Sequence, residues 1–408
     1  MSPKTPSRIG VAVGAAVAAA LILSSCSTST SGGTNTDTAS VVGGASQVRV
    51  SLTEGASGDT CSLSSAIAKA GPVTFTIKDV SSTAVSEVEL LSDERILGEK
   101  ENLAPGLAAV SFTVTLTGGK YQLYCPGAKK ELQTFTVTGK HVASSDNVSV
   151  AFQQGIAGYA KYVTQEVGNM ITSTDALKTA VDSGDLTASQ KAYALARPYY
   201  ERIESDVDGF VLPGHKATDN AGNLDYLIDM RASNLDPKVG WHGFHAVERD
   251  LFQGKKITAS TKSLAAELDT NVNRLDALTK SITYKPEDLA NGAADLLEEA
   301  STTKISGEEE QYSHIDIVDL AANVEGAQQA FAYLQPGLTL IDPTLTKTIV
   351  TQFATVNTLL DKYKDDGALG GYVSYTAAIK AADGAAFSAA VQPLQANLAT
   401  LAAKVATA

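Results

Sequence analysis

The sequence predicts a multidomain protein of the β plus α class, with an N-terminal β-sandwich followed by an all-α helical bundle domain. Two patterns predict this division. Between residues 47 and 140, apolar and polar residues alternate in several short segments, which is the period of half-buried strands. Between residues 150 and 408, apolar residues recur at spacings of three and four, which is the period of helices. The length of 408 residues also favours more than one domain.

Residues 1–25 have the pattern of a secretory signal peptide. Lys4 and Arg8 precede an apolar stretch, and small residues lead into Cys26. A cysteine at this position resembles a bacterial lipobox, so we predict a lipidated Cys26 that anchors an extracytoplasmic protein to the cell membrane. An ordinary secretory signal with an incidental cysteine is the alternative. Residues 26–46 are rich in Ser, Thr, Gly and Ala and are predicted to form a flexible tether.

The composition is acidic, with 45 Asp and Glu residues against 32 Lys and Arg and a formal net charge of −13. Removal of residues 1–25 takes away two basic groups and no acidic one, which leaves 30 against 45, or −15. A surface of this sign repels nucleic acid and attracts cations. The charge therefore argues against nucleic-acid binding.

The strand pattern of residues 47–140 predicts a sandwich of about one hundred residues. Cys61 and Cys125 both lie in it. In an extracytoplasmic protein, two cysteines in one small domain predict a disulfide; a pair of metal ligands is the open alternative. The alternating apolar residues are Val48, Val50 and Leu52, then Val73, Phe75 and Ile77, then Val110, Phe112, Val114 and Leu116, then Phe135 and Val137.

The helical part contains a candidate metal site around His245 and Glu248. Residues three apart share one face of a helix, so the imidazole and the carboxylate can reach the same point. Carboxylates with one imidazole suit iron better than a thiolate-seeking metal. Ion pairs on solvated helix faces are the alternative. Other acidic segments supply further candidates, and the predicted ligand set is His245, Glu248, Glu201, Glu204, Asp225, Glu308 and Glu309.

A bundle brings ligands from facing helices to a common point, which is a known solution for iron sites made of carboxylates and histidines. The zinc-protease signature is absent, because His242 and His245 are three apart and no Glu directly follows either. His242 is either a further ligand or a neighbour of Trp241. Prolines predict helix boundaries or starts, and those positions are Pro237, Pro286, Pro336, Pro343 and Pro393.

In their order and spacing, several segments of residues 150–408 resemble the imelysin family. These segments are Arg197 to Glu204, Leu224 to Arg231, Gly243 to Glu248, Ile305 to Glu309, Tyr312 to His314 and Asn323 to Gly326. The resemblance implies an imelysin-like helical bundle. Because the family carries a peptidase label, it also implies the alternative function of a metallopeptidase that uses a metal on His245 and Glu248.

The sandwich resembles the cupredoxin-like domain of the EfeO family of iron-uptake components. The matching residues are Cys61, Glu87 to Leu90, Gly98 to Gly106, Cys125 and Gly127. The resemblance implies a Greek-key fold and a second metal site formed by Cys61, Glu87 and Cys125. Glu89 and Glu99 are weaker candidates for the acidic ligand, and copper is a candidate metal for this domain.

Together, the two resemblances imply an extracytoplasmic iron-binding component of a bacterial iron-uptake system, and not an enzyme. Such a component captures iron and delivers it to a membrane permease. A haem peroxidase of the same uptake system is the second implied partner.

Overall fold

The computed structural model describes residues 37–92, 95–141, 146–207, 209–216 and 218–408. The predicted signal peptide and Cys26, the predicted lipidation site, lie outside these residues. In the described ranges, no helix combines the length and the apolar character that crossing a membrane requires.

The N-terminal part consists of two five-stranded sheets. One has the order β1-β2-β5-β8, with β3 paired to β2, and the other has the order β4-β10-β9-β6-β7. The pairs β2 with β5 and β4 with β10 are parallel, and the other pairs are antiparallel. In the described residues the strands are β1 (Ser40–Val42), β2 (Ala45–Thr53), β3 (Thr60–Leu63), β4 (Ile67–Lys69), β5 (Gly71–Asp79), β6 (Val88–Ser92), β7 (Arg95–Lys100), β8 (Val110–Leu116), β9 (Gly119–Tyr124) and β10 (Leu132–Thr138).

The two sheets bury one common core, as expected for a sandwich. The ring of Phe75 on β5 lies 5.1 Å from that of Phe112 on β8 and 5.1 Å from that of Phe135 on β10, in the other sheet. The predicted inward residues of β2, Val48, Val50 and Leu52, are also buried. The alternation read from the sequence is therefore present in β2.

The predicted tether ends earlier than expected. β1 and β2 form a hairpin around Gly43 and Gly44, which have φ of +58° and +88°. Two glycines in this left-handed region are typical of a two-residue hairpin turn. The sequence pattern of residues 26–46 did not predict this strand, because β1 is exposed at the edge of its sheet and has few residues that enter a core.

The rest of the described chain is helical, which confirms the β plus α class. α5 continues into a π-helical turn at Arg249–Gln253, and α7 into a second one at Ala300–Lys304. The helices are α1 (Asn147–Ser183), α2 (Leu186–Glu201), α3 (Glu204–Val207), α4 (Leu224–Asp229), α5 (Gly243–Glu248), α6 (Ala259–Thr279), α7 (Pro286–Glu299), α8 (Asp316–Ile341), α9 (Pro343–Leu360), α10 (Ala377–Leu398) and α11 (Leu401–Ala406).

Prolines mark some helix boundaries and not others. Pro286 and Pro343 begin α7 and α9, as predicted. Pro336 and Pro393 lie inside α8 and α10, so the boundaries predicted there are wrong. The turns on both sides of Pro336 are buried in the helical core. Packing of these turns outweighs the roughly 3 kcal/mol that an interior proline costs a helix.

Helix α7 runs along the sandwich and joins it to the helical part. The backbone N–H of Thr115 on β8 donates to Glu287 Oε1 at 2.9 Å, and Asn291 Nδ2 donates to the carbonyl oxygen of Thr113 at 2.8 Å. Farther along the helix, the buried ammonium of Lys100 on β7 contacts Asp295 and, at 2.8 Å, Glu298. The two parts accordingly belong to one compact unit.

Candidate metal centre

A close approach between two helices positions the histidine of the centre. Gly243 begins α5 with φ of +71°, and a Cβ at this position would overlap the carbonyl oxygen of Ile228 on α4. Only glycine allows this backbone conformation and this contact. As a result, His245 on α5 faces Asp229 at the end of α4, with 3.5 Å between Nε2 and Oδ1.

Both ring nitrogens of His245 face carboxylates. Nδ1 lies 3.3 Å from Glu248 Oε2, as the spacing of three predicts, and Nε2 lies 3.3 Å from Glu309 Oε1. The residue is only 1% exposed, and Nε2 has no partner in hydrogen-bonding geometry. Burial lowers the pKa of His245, but the negative charge of Asp229 and the close carboxylates of Glu248 and Glu309 raise it well above its usual value.

Backbone and hydroxyl donors hold the next two carboxylates. Glu248 Oε1 accepts from the backbone N–H groups of Tyr312 and Ser313, both at 2.7 Å, which leaves Oε2 facing the imidazole. Glu310 Oε1 accepts from the hydroxyl of Tyr193 at 2.8 Å, and the hydroxyl of Ser313 donates to Oε2. Potential ligand atoms of His245, Glu248 and Glu310 all lie within 4.8 Å of one another, as do those of Asp229, His245 and Glu309. Backbone and hydroxyl contacts of this kind orient carboxylate ligands.

Three buried cations balance part of this negative charge. They are Arg197 on α2, Arg231 after α4, and Lys304 at the end of the second π-helical turn. Arg197 contacts five carboxylates, three of them at 3.0–3.2 Å, and Arg231 contacts Glu309 at 3.1 Å. In the described part of the chain, seven carboxylates lie within ion-pair distance of the three cations, and they are Glu201, Glu204, Asp229, Glu299, Glu309, Glu310 and Asp319.

Because carboxylates outnumber cations, the acidic groups divide between charged and neutral forms. Burial raises the pKa of Glu201 to about 8, despite the opposing charges of Arg197 and Lys304. Burial also acts to raise the pKa of Glu309, but the charges of Lys304 and Arg231 hold it well below its usual value. Glu309 is therefore the carboxylate that stays ionised beside His245, whereas Glu201 takes up a proton at a higher pH than an exposed glutamate does.

The structure brings most of the predicted site residues together. His245 contacts both Glu248 and Glu309. Glu201 lies close to Glu309 and Asp319 in a neighbouring group of carboxylates. Glu204 and Asp225 lie farther out, where they line the cleft described below. Glu308 is not in the centre, because its carboxylate accepts from the hydroxyl of Ser233 near the surface. This corrects the predicted ligand set at Glu308.

The sequence analysis missed the buried charges that organise the centre, above all Arg197, Lys304 and Asp319. One signal pointed to Asp319. Asp319 lies in the strongly apolar first half of α8, four residues before the buried Asn323, and charged residues in such a run are rare unless they are paired. Asn323 Nδ2 donates to Glu201 Oε2 at 3.0 Å, which ties α8 to α2 at the centre.

A cleft of about 490 Å³ separates the sandwich from the helical part next to the centre. Its walls are acidic on both sides, and Asp229 both lines it and contacts His245. On the sandwich side, Glu89 is almost fully buried and its Oε2 has no hydrogen-bond partner; burial raises its pKa to about 7. The acidic lining residues are Glu87, Glu89, Glu99, Glu101, Glu204, Asp225, Asp229, Asp295, Glu298 and Glu299.

The two cysteines of the sandwich are bonded to each other. Of the two alternatives, the structure contains the disulfide, and a disulfide sulfur is not the thiolate that binds metals. Glu87 instead groups with Glu89 and Glu99, and among the described residues no potential metal-binding group contains a cysteine. The predicted ligand set Cys61, Glu87 and Cys125 is corrected accordingly, and nothing in the structure supports copper.

The fold and the site define a two-part protein whose helical part holds a buried histidine–carboxylate centre of the type that suits hard and borderline cations. A family model described as Imelysin, with the label Peptidase_M75, matches residues 155–405. The chain therefore belongs to the imelysin family. A peptidase label names a family and does not show an activity.

Three curated relatives have similarity beyond the helical part. A protein of Yersinia pseudotuberculosis serotype I is 35% identical over 307 residues, covering 75% of this chain and 78% of the relative. Proteins of Escherichia coli O1:K1 and of strain K12 are 31% and 32% identical, covering 81% and 78% of this chain and 84% and 81% of the relatives. Each is named "Iron uptake system component EfeO". The resemblance to EfeO-type proteins is thus confirmed.

Among solved structures, reduced rusticyanin aligns with 25% of this chain and 84% of its own length. The TM-score is 0.21 and the identity is 12%. These values are too low to support an argument about the sandwich, so its cupredoxin-like character stays a prediction.

Proposed function

We propose that this protein is an extracytoplasmic iron-binding component of a bacterial iron-uptake system, which captures iron and delivers it to a membrane permease. One observation carries the proposal: the buried Nε2 of His245 faces carboxylate oxygens of Asp229 and Glu309 without a hydrogen bond. A nitrogen in this environment is suited to a metal ligand. The names of the EfeO relatives support iron as the cargo.

The ligand set that we propose combines the imidazole of His245 with carboxylates of Asp229, Glu248, Glu309 and Glu310. Oxygen ligands with a single imidazole favour iron over soft metals. Iron would also replace the proton of the imidazolium and neutralise the surplus of carboxylates. The acidic cleft beside Asp229 is the entrance in this proposal, because a concave surface of one charge raises the local concentration of the opposite ion.

The partners in this proposal are the membrane permease and the haem peroxidase of the same uptake system, which the family resemblance implies. The role is binding and not catalysis. Peptidase chemistry at the same residues is disfavoured by burial, because His245 and Glu248 are 1% and 0% exposed and a peptide bond would need access to both.

Paired substitutions test the site. We expect His245→Gln and Glu248→Gln to lower iron affinity by more than the roughly 10–100-fold that loss of an orienting neighbour costs. The matched controls, His242→Gln and Glu308→Gln, should leave affinity within about twofold of the parent, since both residues have partners outside the centre. Calorimetric titration with ferrous iron, and with ferric iron supplied as citrate, measures both effects.

Two results would contradict the proposal. Unchanged affinity in both centre variants would show that iron binds elsewhere. Metal-dependent cleavage of casein by the parent, lost in Glu248→Gln, would instead favour the metallopeptidase alternative.

Membrane anchoring is a separate part of the proposal and rests on the lipobox-like sequence before Cys26. We expect Cys26→Ala to move the protein from the membrane fraction to the soluble extracytoplasmic fraction. Immunoblots of both fractions, compared with those of the parent protein, measure the change. Membrane retention of Cys26→Ala would exclude a lipid anchor at this residue.

A further inference from the structure

The ammonium of Lys304 lies inside a cage of four carboxylates. Nζ is 3.1 Å from Glu299, 3.2 Å from Glu201, 3.3 Å from Glu309 and 3.8 Å from Glu204. These ligands come from α2, α3, the end of α7 and the segment before α8. We call this group the lysine cage.

The contacts inside the lysine cage are loose for a buried ion pair. Lys304 is 1% exposed, yet its Nζ has no partner in hydrogen-bonding geometry. Glu204 Oε2, which lies 3.8 Å from Nζ, is also buried without a hydrogen-bond partner. Arg197 and Arg231 also contact three of the four carboxylates. The ammonium itself acts as a point charge between them and leaves hydrogen-bonding capacity of the cage unsatisfied.

Glu309 connects the lysine cage to the histidine. Its Oε1 faces His245 Nε2 at 3.3 Å, and its Oε2 faces Lys304 Nζ at 3.3 Å. A carboxylate that directs one oxygen to each of two positive groups has the arrangement of a bridging ligand between two cations. Two-metal centres in proteins place their ions about 3.5–4 Å apart across such bridges.

We propose that Glu201, Glu204, Glu299 and Glu309 form a second cation position of the centre, which the ammonium of Lys304 occupies in place of a metal ion. The cation that it accepts is a hard divalent or trivalent ion, because the cage offers only carboxylate oxygens. The inference rests on the proposed function to the extent that Glu309 is shared with the iron at His245. It goes beyond that function by assigning room for a second ion.

Substitution of Lys304 tests the proposal in the full chain. Lys304→Met removes the ammonium with little change in volume, and Lys304→Arg keeps a positive charge as the control. We expect Lys304→Met to bind one more Mn²⁺ per chain than the parent in equilibrium dialysis, and Lys304→Arg to bind the same number as the parent. The extra ion should disappear in the double variant Lys304→Met/Glu204→Gln.

Spectroscopy adds an independent readout. Two Mn²⁺ ions that share Glu309 should give a spin-coupled signal in electron paramagnetic resonance, and His245→Gln in the Lys304→Met background should convert it to that of a single ion. If the parent binds no Mn²⁺ while Lys304→Met binds one that Glu204→Gln removes, the lysine cage stands and the site proposed at His245 is wrong.

A folded Lys304→Met with the same stoichiometry as the parent would overturn the proposal, and so would an extra ion that persists in the double variant. If Lys304→Met is unfolded without metal, near-ultraviolet circular dichroism decides. Recovery of the native signal on addition of Mn²⁺ supports the cage. If the native signal returns only when Glu204→Gln is added to Lys304→Met, and not on addition of Mn²⁺, the result counts against the cage.

Discussion

Replacement of Arg197 by methionine should destabilise the metal-free protein by about 3–5 kcal/mol, or prevent it from folding, because it leaves buried carboxylates without their cation. The guanidinium is fully buried and contacts five carboxylates from four segments of the helical part. No solvent is available to replace it. Urea unfolding of the parent and of Arg197→Met, followed by circular dichroism, measures the difference.

Arg202 provides a matched control on the same helix end. It contacts Glu325 at 2.8 Å and Glu166 at 3.4 Å, but its side chain is 24% exposed. An ion pair at the surface contributes roughly 0–1 kcal/mol, so Arg202→Met should have a small effect. Equal effects of the two substitutions would mean that the charge network of the centre does not stabilise the fold.

The second large effect concerns pH and metal together. Burial raises the pKa of Glu201 to about 8 and that of Asp316 to about 8. Between their unfolded values near 4 and pH 8, the folded protein binds more protons than the unfolded chain, so its stability falls as pH rises. The raised pKa of His245 acts with the same sign: its contribution is complete below about 6.5 and is lost as pH rises through the folded value.

Bound metal should reverse this trend. A cation at the centre replaces the protons of its ligands, so its affinity rises with pH. At a free concentration of about 1,000 times its dissociation constant, a metal stabilises the folded state by roughly 4 kcal/mol. Thermal melts at pH 5, 6.5 and 8 measure this effect, with Mn²⁺ as a redox-stable substitute for iron. The difference in melting temperature between the metal-bound and the metal-free protein should be largest at pH 8.

His245→Gln is the control for this experiment, because it should remove most of the divergence. Parallel curves for the parent with and without metal across the three pH values would show that the buried carboxyl groups do not take part in metal binding.

Local geometry explains which parts of the site were predictable. His245 and Glu248 lie on one helix, where a spacing of three places them on one face, so the sequence alone predicts their contact. Glu308 and Glu309 lie instead in an irregular segment after Gly307, which has φ of +69°. Without a helical or strand period, no pattern says which of two adjacent carboxylates points inward, and the sequence analysis selected both.

Pairing over long sequence distances explains what was not predictable. Arg197 meets Asp229, Glu309 and Asp319 only after four segments have packed together. The same applies to Cys61 and Cys125, which are 64 residues apart, so the sequence left their disulfide as one of two alternatives. The alternation of the strands, in contrast, depends on near neighbours, and the structure reproduces it in β2 and β10. In β5 and β8 it is incomplete, because the polar residues Thr74 and Thr113 are buried as well.

Helix α7 makes the sandwich and the centre a single mechanical body. It is attached to the sandwich along its whole length, from Glu287 to Glu298, and it leads directly into Glu299 and Lys304. A rocking motion of the sandwich would therefore carry a carboxylate and an ammonium of the buried centre with it. The width of the acidic cleft and the charge distribution around His245 would consequently change together. A partner that binds only the sandwich would in this way alter the surroundings of the buried histidine.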